Sequence, residues 1–365
     1  MRERTSTLDE QVLKRNSKVE EEDNPFSELP PNLYLPSGST MLNLAMSDKI
    51  DGGWPCGRIN NLTGDSDTGK TVMGLSCLAE ACRLDEFSEH QLIYADIEEA
   101  IDPGMLKMFG KKLMSRIQLL SSSSINSDMK APETVQELHY QLMDLIESGK
   151  PFIYIPDSLD FLPSKDDLEK TKEDKAAWKK GKDSGGTYQM SKPKYVKRML
   201  GEVKAELRGS NSMLLLVRQT IDNIGSMFTP KTATGGNAIK FGSSIEAWAS
   251  QMELDKSPSG IIIGRKNKCK IVKNRITGKK REVSLWLYDN LGIDDLKSCV
   301  EFLIGAKKIT KVGGWITWGD KKMNMKDFLR FLEIEKEVEI IRSSVQEAWN
   351  EVEEGLKLDR GPRYE

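Results

Sequence analysis

Residues 58–71 read RINNLTGDSDTGKT and run directly into the helical pattern TVMGLSCLAEACRL, residues 71–84. An apolar strand, a glycine-bounded turn ending in Gly-Lys-Thr and an amphipathic helix make up a phosphate-binding loop. Gly64 and Gly69 let backbone N–H groups wrap phosphate oxygens, and the helix N-terminus adds partial positive charge. Lys70 is placed to reach β- and γ-phosphates, and the Thr71 hydroxyl to hold Mg²⁺. Asp65, Ser66, Asp67 and Thr68 complete the loop. The two carboxylates would oppose an anion if turned inward, so both are expected to face solvent.

Working outward, QLIYADI (91–97), PFIYIPDS (151–158) and SMLLLVRQT (212–220) repeat the short apolar run of residues 58–64. ETVQELHYQLMDLIES (133–148) has apolar residues at helical spacing, and Val196, Leu200, Val203 and Leu207 share one face of a helix over 192–207. Strands apolar on both faces that alternate with helices predict an α/β fold with a mostly parallel central sheet. The runs at 259–273 and 281–288 have no long helix between them and predict an antiparallel extension.

The chain of 365 residues divides into an N-terminal arm (1–36), a core (37–290) and a small C-terminal helical region (291–365) that ends in an acidic helix. The arm carries the acidic run 20–23 and the proline-spaced PFSELPPNLYLP, with a short helix expected over residues 9–18 and Phe26 and Leu29 as candidate subunit contacts. Residues 164–194 are highly charged and 221–238 are rich in Gly, Thr and Ala, so both are predicted to be functional loops.

Lys and Arg total 54 against 56 Asp and Glu, a formal net charge of −2 that does not exclude nucleic-acid binding, which depends on where positive charge is clustered. No apolar run approaches the roughly 20 residues that cross a bilayer. The first 23 residues lack the apolar stretch of a secretion signal. The five cysteines are odd in number and unpaired in sequence, which fits a reducing cytoplasm.

Two acidic positions complete the chemistry of the loop. Asp157 ends an apolar strand, from which a carboxylate can assist Thr71 at the metal. After strand 91–97, Glu98 is placed to act as the base toward an attacking water, and by spacing Glu99 is nearly as good a candidate.

The order GRINNLTGDSDTGKT, YADIEEAIDP, IPDSLDFLP, LLLVRQ, MFTPKTATGGNAIKF and CKIVKNR resembles the RecA family of DNA recombinases across residues 37–318. That family includes bacterial RecA and phage recombinases of the T4 type. The resemblance implies a RecA-like P-loop NTPase core that uses ATP and Mg²⁺. It makes Glu98 the catalytic glutamate, Asp157 the second metal acid and Gln219 the sensor of the γ-phosphate. Asp102 and Tyr288 would hold the adenine, and Lys273 and Arg275 would reach the nucleotide of the next protomer. Lys240 and Phe241 would form a subunit contact. The segments 164–194 and 221–238 would be DNA-binding loops. Arg218 stands where bacterial RecA has asparagine, and Met105 where an aromatic stacks on the base.

The DNA side also has support in the residues themselves. Lys179, Lys180, Lys182, Lys192, Lys194, Lys197 and Arg198 surround a glycine pair and could neutralise phosphates, although eight acidic residues over 164–208 (Asp166, Asp167, Glu169, Glu173, Asp174, Asp183, Glu202 and Glu206) support a solvated face instead. Trp178, Tyr188, Met227 and Phe228 could contact bases, with Gly235, Gly236 and Asn237 in the second loop. The resulting expectation is a DNA-dependent ATPase that forms filaments on single-stranded DNA in the cytoplasm, or in the host's cytoplasm if phage-encoded. It would exchange strands with a homologous duplex, with single-strand-binding and mediator proteins as further partners and no membrane. The alternatives are a ring helicase of the same superfamily and an ATP-switched DNA-binding filament with negligible turnover.

Overall fold

The apolar runs are buried on both faces because they lie in the middle of a ten-stranded sheet. The computed structural model describes residues 33–122, 129–181, 191–221, 232–233 and 237–361. A two-strand ribbon, β1 (Tyr34–Leu35) with β2 (Trp54–Pro55), brackets α1 (Thr40–Ser47). Then follow β3 (Arg58–Gly64), α2 (Lys70–Ala81), β4 (Gln91–Asp96), α3 (Pro103–Lys107), α4 (Gly110–Arg116), β5 (Ile117–Leu120), α5 (Val135–Glu147) and β6 (Phe152–Asp157). After α6 (Lys165–Lys179) and α7 (Ser191–Leu207) come β7 (Met213–Ile221), β8 (Thr232–Ala233), α8 (Asn237–Gly242), β9 (Ile245–Lys256), β10 (Ile262–Asn274), β11 (Glu282–Tyr288) and β12 (Gly292–Asp294).

The sheet order is β12-β11-β10-β9-β3-β7-β6-β4-β5, with β8 branching from β7. From β9 to β5 all neighbours are parallel, and β9 to β12 form the antiparallel extension. Side chains alternate along β7: Leu215 and Val217 join the cluster with α1 and α2, and Leu214 and Leu216 the cluster with α5 and α7. Each buried leucine contributes about 1.5–3 kcal/mol by leaving water.

Three elements depart from expectation. The first predicted loop holds the 15-residue helix α6, which buries no residue. A capping box at Ser164 and Asp167 and a run of good helix formers sustain it without a core face. Strand β9 escaped notice because its first half carries buried Glu246 and its second half is exposed. The C-terminal region, expected as helical, adds to α9 (Asp295–Gly305), α10 (Met325–Ile334) and α11 (Val338–Gly355) a three-stranded sheet of β13 (Thr310–Val312), β14 (Trp315–Trp318) and β15 (Lys321–Met323). Val300, Leu303, Val345 and Trp349 share one apolar cluster with Leu35 and Leu75, so α9 and α11 pack on the core without a break. Among the described residues no helix is long and apolar enough to cross a membrane.

Ion pairs fasten α11 to the core. Glu353 is bonded to Arg281, with Nη2 at 2.7 Å, and to Lys279 at 2.9 Å, while Lys279 also reaches Asp48 at 2.7 Å. The Arg281 hydrogen bonds, against some desolvation and helped by Lys279, hold the Glu353 carboxyl down at about 2, from an ordinary value of 4.5. A depressed carboxylate stabilises the fold above its unfolded pKa and loses that contribution as pH falls through the folded one. Glu353→Gln should therefore be less stable than wild type at pH 7 in urea titrations, and the gap should narrow progressively below pH 4.5. A gap independent of pH would assign the difference to packing.

Candidate active site

The loop between β3 and α2 tolerates no side chain at its two glycines. A Cβ on Gly64 would lie 2.7 Å from Thr68 Oγ1 and 2.8 Å from the Ala249 carbonyl. Gly69 has φ +73°, and a Cβ there would meet Leu287 at 2.8 Å. Gly69 leaves α2 without a side-chain cap among the described residues and its first turn has no acidic residue, so the N–H groups there suit an anion. Strand β10 braces the loop from behind. Asn267 Nδ2 donates to the Thr68 carbonyl at 2.5 Å, and Arg265 donates to the Asp67 carbonyl. Sequence reading missed both; their only signal was an i, i+2 spacing that puts them on one strand face.

Asp67 is exposed, as expected. Asp65 is not: it is half-buried, and its carboxylate accepts from the Thr220 hydroxyl. That bond ties it to β7. Lys70 Nζ donates to the Asp65 carbonyl at 2.7 Å. Burial pushes the Lys70 pKa down, opposed by Asp157, Glu98 and Asp65.

At the end of β6, Asp157 Oδ2 accepts from Thr71 Oγ1 at 2.7 Å and from the Tyr94 hydroxyl at 2.6 Å. Desolvation raises the Asp157 pKa against these two bonds. A hydroxyl and a carboxylate this close are hard oxygen donors that fit Mg²⁺, which takes few protein ligands and fills its shell with water and phosphate oxygens. The loop, Lys70 and the open helix end likewise fit a nucleoside triphosphate.

The two glutamates after β4 part company. Asp96 accepts from the N–H groups of Ala100 at 2.9 Å and Ile101 at 3.0 Å and so shapes the turn. Glu98 lines the cleft, where Oε1 accepts from Gln219 Nε2 at 3.2 Å. Glu99 is exposed, at φ +52°, and bonds the Ser122 hydroxyl.

The cleft encloses about 960 Å³, with Ser66, Gly69, Lys70, Thr71, Glu98, Asp157 and Gln219 at one end. Met105, Met108, Leu287 and Tyr288 make its apolar side. The Tyr288 hydroxyl is engaged by Asp255 and Lys297. Asp102 does not line the cleft; its carboxylate caps α3 at Gly104 N–H.

The remaining candidates lie elsewhere. Lys179 and Lys180 are exposed at the end of α6 and Lys194 on α7, whereas Lys192 turns inward to the Asp160 carbonyl at 2.7 Å and Arg198 pairs with Glu202 at 2.8 Å. Lys182, Met227, Phe228, Gly235 and Gly236 lie outside the described residues, as do Phe26, Leu29 and Tyr188. Asn237 opens α8, which carries exposed Lys240 and Phe241, the latter 65% exposed. Lys273 donates to the carbonyls of Lys240 and Phe241, and Arg275 is exposed. Neither lines the cleft of its own chain.

The family model for the RecA N-terminal domain matches residues 32–294. The chain is similar to Protein RecA of Thermus aquaticus, 28% identical over 295 residues that cover 79% of this chain and 76% of that protein. With Protein RecA of Geobacter metallireducens it shares 27% over 308 residues, 83% and 82% of the two chains. With that of Treponema denticola it shares 26% over 305 residues, 82% and 66%.

Lys70→Ala should lose nucleotide binding in a fluorescent-nucleotide titration, because it removes the cation that opens α2 beside the uncapped N–H groups. Glu98→Gln should bind as wild type yet lose about 10²–10⁴-fold in kcat, the size of a general-base contribution. Glu99→Gln should turn over normally; the reverse pattern would shift the base by one residue.

Proposed function

The chain belongs to the RecA family, and from that premise we propose that it is a DNA-dependent ATPase that polymerises on single-stranded DNA and promotes pairing and strand exchange with a homologous duplex. The observation that carries the reading is the Gln219–Glu98 hydrogen bond. Gln219 stands near the end of β7, whose chain continues into 221–238, the segment expected to contact DNA. One side chain therefore faces the candidate base while its own strand leads toward the DNA side.

In this reading Glu98 accepts the proton of the attacking water, and Lys70 and the α2 N-terminus neutralise charge on the phosphates. Thr71 and Asp157 would hold Mg²⁺, which would supply further neutralisation at the phosphate oxygens. Met105 offers the base a flexible thioether in place of an aromatic face and so loosens base selectivity. Lys273 and Arg275 act in trans on the nucleotide of the adjoining protomer.

Electron microscopy with single-stranded DNA and a slowly hydrolysed ATP analogue should show helical filaments, and phosphate release should rise on adding the DNA. Closed rings would favour a helicase, and filaments without turnover an ATP-switched binding protein. Replacing Lys179, Lys180 and Lys182 together by Ala should weaken single-strand binding. The log–log salt slope should flatten by about 0.7 for each phosphate that the variant no longer neutralises. Lys273→Ala/Arg275→Ala should bind ATP but fail at DNA-stimulated hydrolysis. Mixing it with Glu98→Gln protein should restore turnover at interfaces where an intact Glu98 meets intact basic residues. No recovery in samples shown to co-assemble would rule out nucleotide sharing.

A further inference from the structure

Arg218 is buried to 1% exposure, and its Nε, Nη1 and Nη2 find no hydrogen-bond partner among the described residues. A guanidinium keeps its charge under all ordinary conditions, so leaving it buried and unbonded is strongly unfavourable unless another arrangement satisfies it. Two carboxylates act on it electrostatically, Asp160 and Glu246. Each has one oxygen engaged and one to spare. Asp160 Oδ2 accepts the Gln219 backbone N–H at 2.6 Å, and its buried Oδ1 has no partner among the described residues. Glu246 Oε1 accepts from Asn61 and Trp248, and its Oε2 is likewise without a partner there.

Asp160 has a second attachment. Its main-chain carbonyl accepts Lys192 Nζ at 2.7 Å, at the start of α7. The turn that holds it, Leu159–Phe161, runs on to Ser164, which caps α6 and meets the Ser191 hydroxyl at 2.9 Å. One residue thus grips the backbone of Gln219 with its carboxylate and the basic helix with its carbonyl.

We propose that Asp160, with Arg218 as its buried counter-charge, is a positioning residue that couples DNA contact at α7 to the orientation of Gln219. A nucleic-acid phosphate that recruits Lys192 would draw its ammonium away from the Asp160 carbonyl. Releasing it frees the turn to shift, and closure of Asp160 Oδ1 on Arg218 gains a charge-assisted hydrogen bond that the resting arrangement lacks. The Gln219 N–H is carried with the same carboxylate, and its side chain moves relative to Glu98. The two arrangements of one buried pair are the switch that the two sites bias.

The inference rests on the DNA-dependent ATPase reading above. The test compares full-length wild type, Asp160→Asn, Arg218→Met and the double variant, without DNA and with saturating oligo(dT). Asp160→Asn keeps the shape and can still accept the Gln219 N–H. Its basal kcat, its KM for ATP and its affinity for labelled oligo(dT) should stay within about twofold of wild type. Its DNA-stimulated kcat should fall about fivefold or more. The double variant should be no worse than the more affected single variant, since either change removes the same pair. Normal stimulation of Asp160→Asn, an equal loss with and without DNA, or single effects that multiply in the double would each overturn the proposal. Wild-type protein that DNA does not stimulate would overturn the functional reading beneath it, a result visible before any substitution. If thermal melting shows Arg218→Met to be unfolded, Asp160→Asn decides alone.

Discussion

The site depends on the parallel register of β3, β7, β6 and β4. Gly64 pairs in register with Gln219, and Asp96 with Asp157. Four strands that end near one level deliver the Gly64–Gly69 loop, Gln219, Asp157 and the turn with Glu98 to one edge of the sheet. A slip of one residue in any of these strands would exchange the side chains packed in the two apolar layers, so close packing on both faces holds the chemistry in register.

Burial then sets the electrostatics. Lys70 and Asp157 lose water together, and desolvation pushes the first toward losing its proton and the second toward keeping one. Their mutual attraction opposes that drift only in part; Glu98 and Asp65 help Lys70 keep its proton, while Glu98 pushes Asp157 further up. A site of this kind gains most from a ligand that brings anionic oxygens to the lysine and a cation to the carboxylate. A nucleoside triphosphate with its metal meets both needs, and so the loop and the acid strand are better matched to the pair of ligands than to either one.

Much of this was legible in the sequence, for reasons that can be stated. The runs at 58–64, 91–97, 151–158 and 212–220 are apolar over consecutive positions, and only a strand buried on both faces needs that. The glycines of the loop have no substitute where a Cβ would strike backbone or a packed leucine. Helix α6 was illegible because it has no apolar face, so its evidence lies in a cap and in propensity rather than period. Asp65 was misjudged since a charge argument cannot see that Thr220 will arrive from another strand. Spacing left Glu98 and Glu99 nearly equal; what parts them is the turn shaped by Ala100 and Ile101 N–H groups donating to Asp96, with Glu98 in the cleft and Glu99 exposed, which spacing does not reveal.

Glu246 is the point at which the two halves of the molecule's electrostatics meet. It lies buried on β9, in register with Asn61 of β3 on one side and Lys273 of β10 on the other. Its charge acts on Arg218, next to Gln219 in the chain, and also on Lys273. Burial, then the neighbouring Arg275, Lys204 and Lys240, hold the Lys273 ammonium down at about 8, and Glu246 is the carboxylate that resists. One buried charge therefore supports two cations, Arg218 buried on β7 and Lys273 on β10, which donates to the carbonyls of Lys240 and Phe241. Since interactions with a shared partner are not additive, a change in the demand of either cation alters what the other receives. Strand β9, the element least visible in the sequence, is the one whose buried carboxylate links Arg218 on β7 to Lys273 on β10.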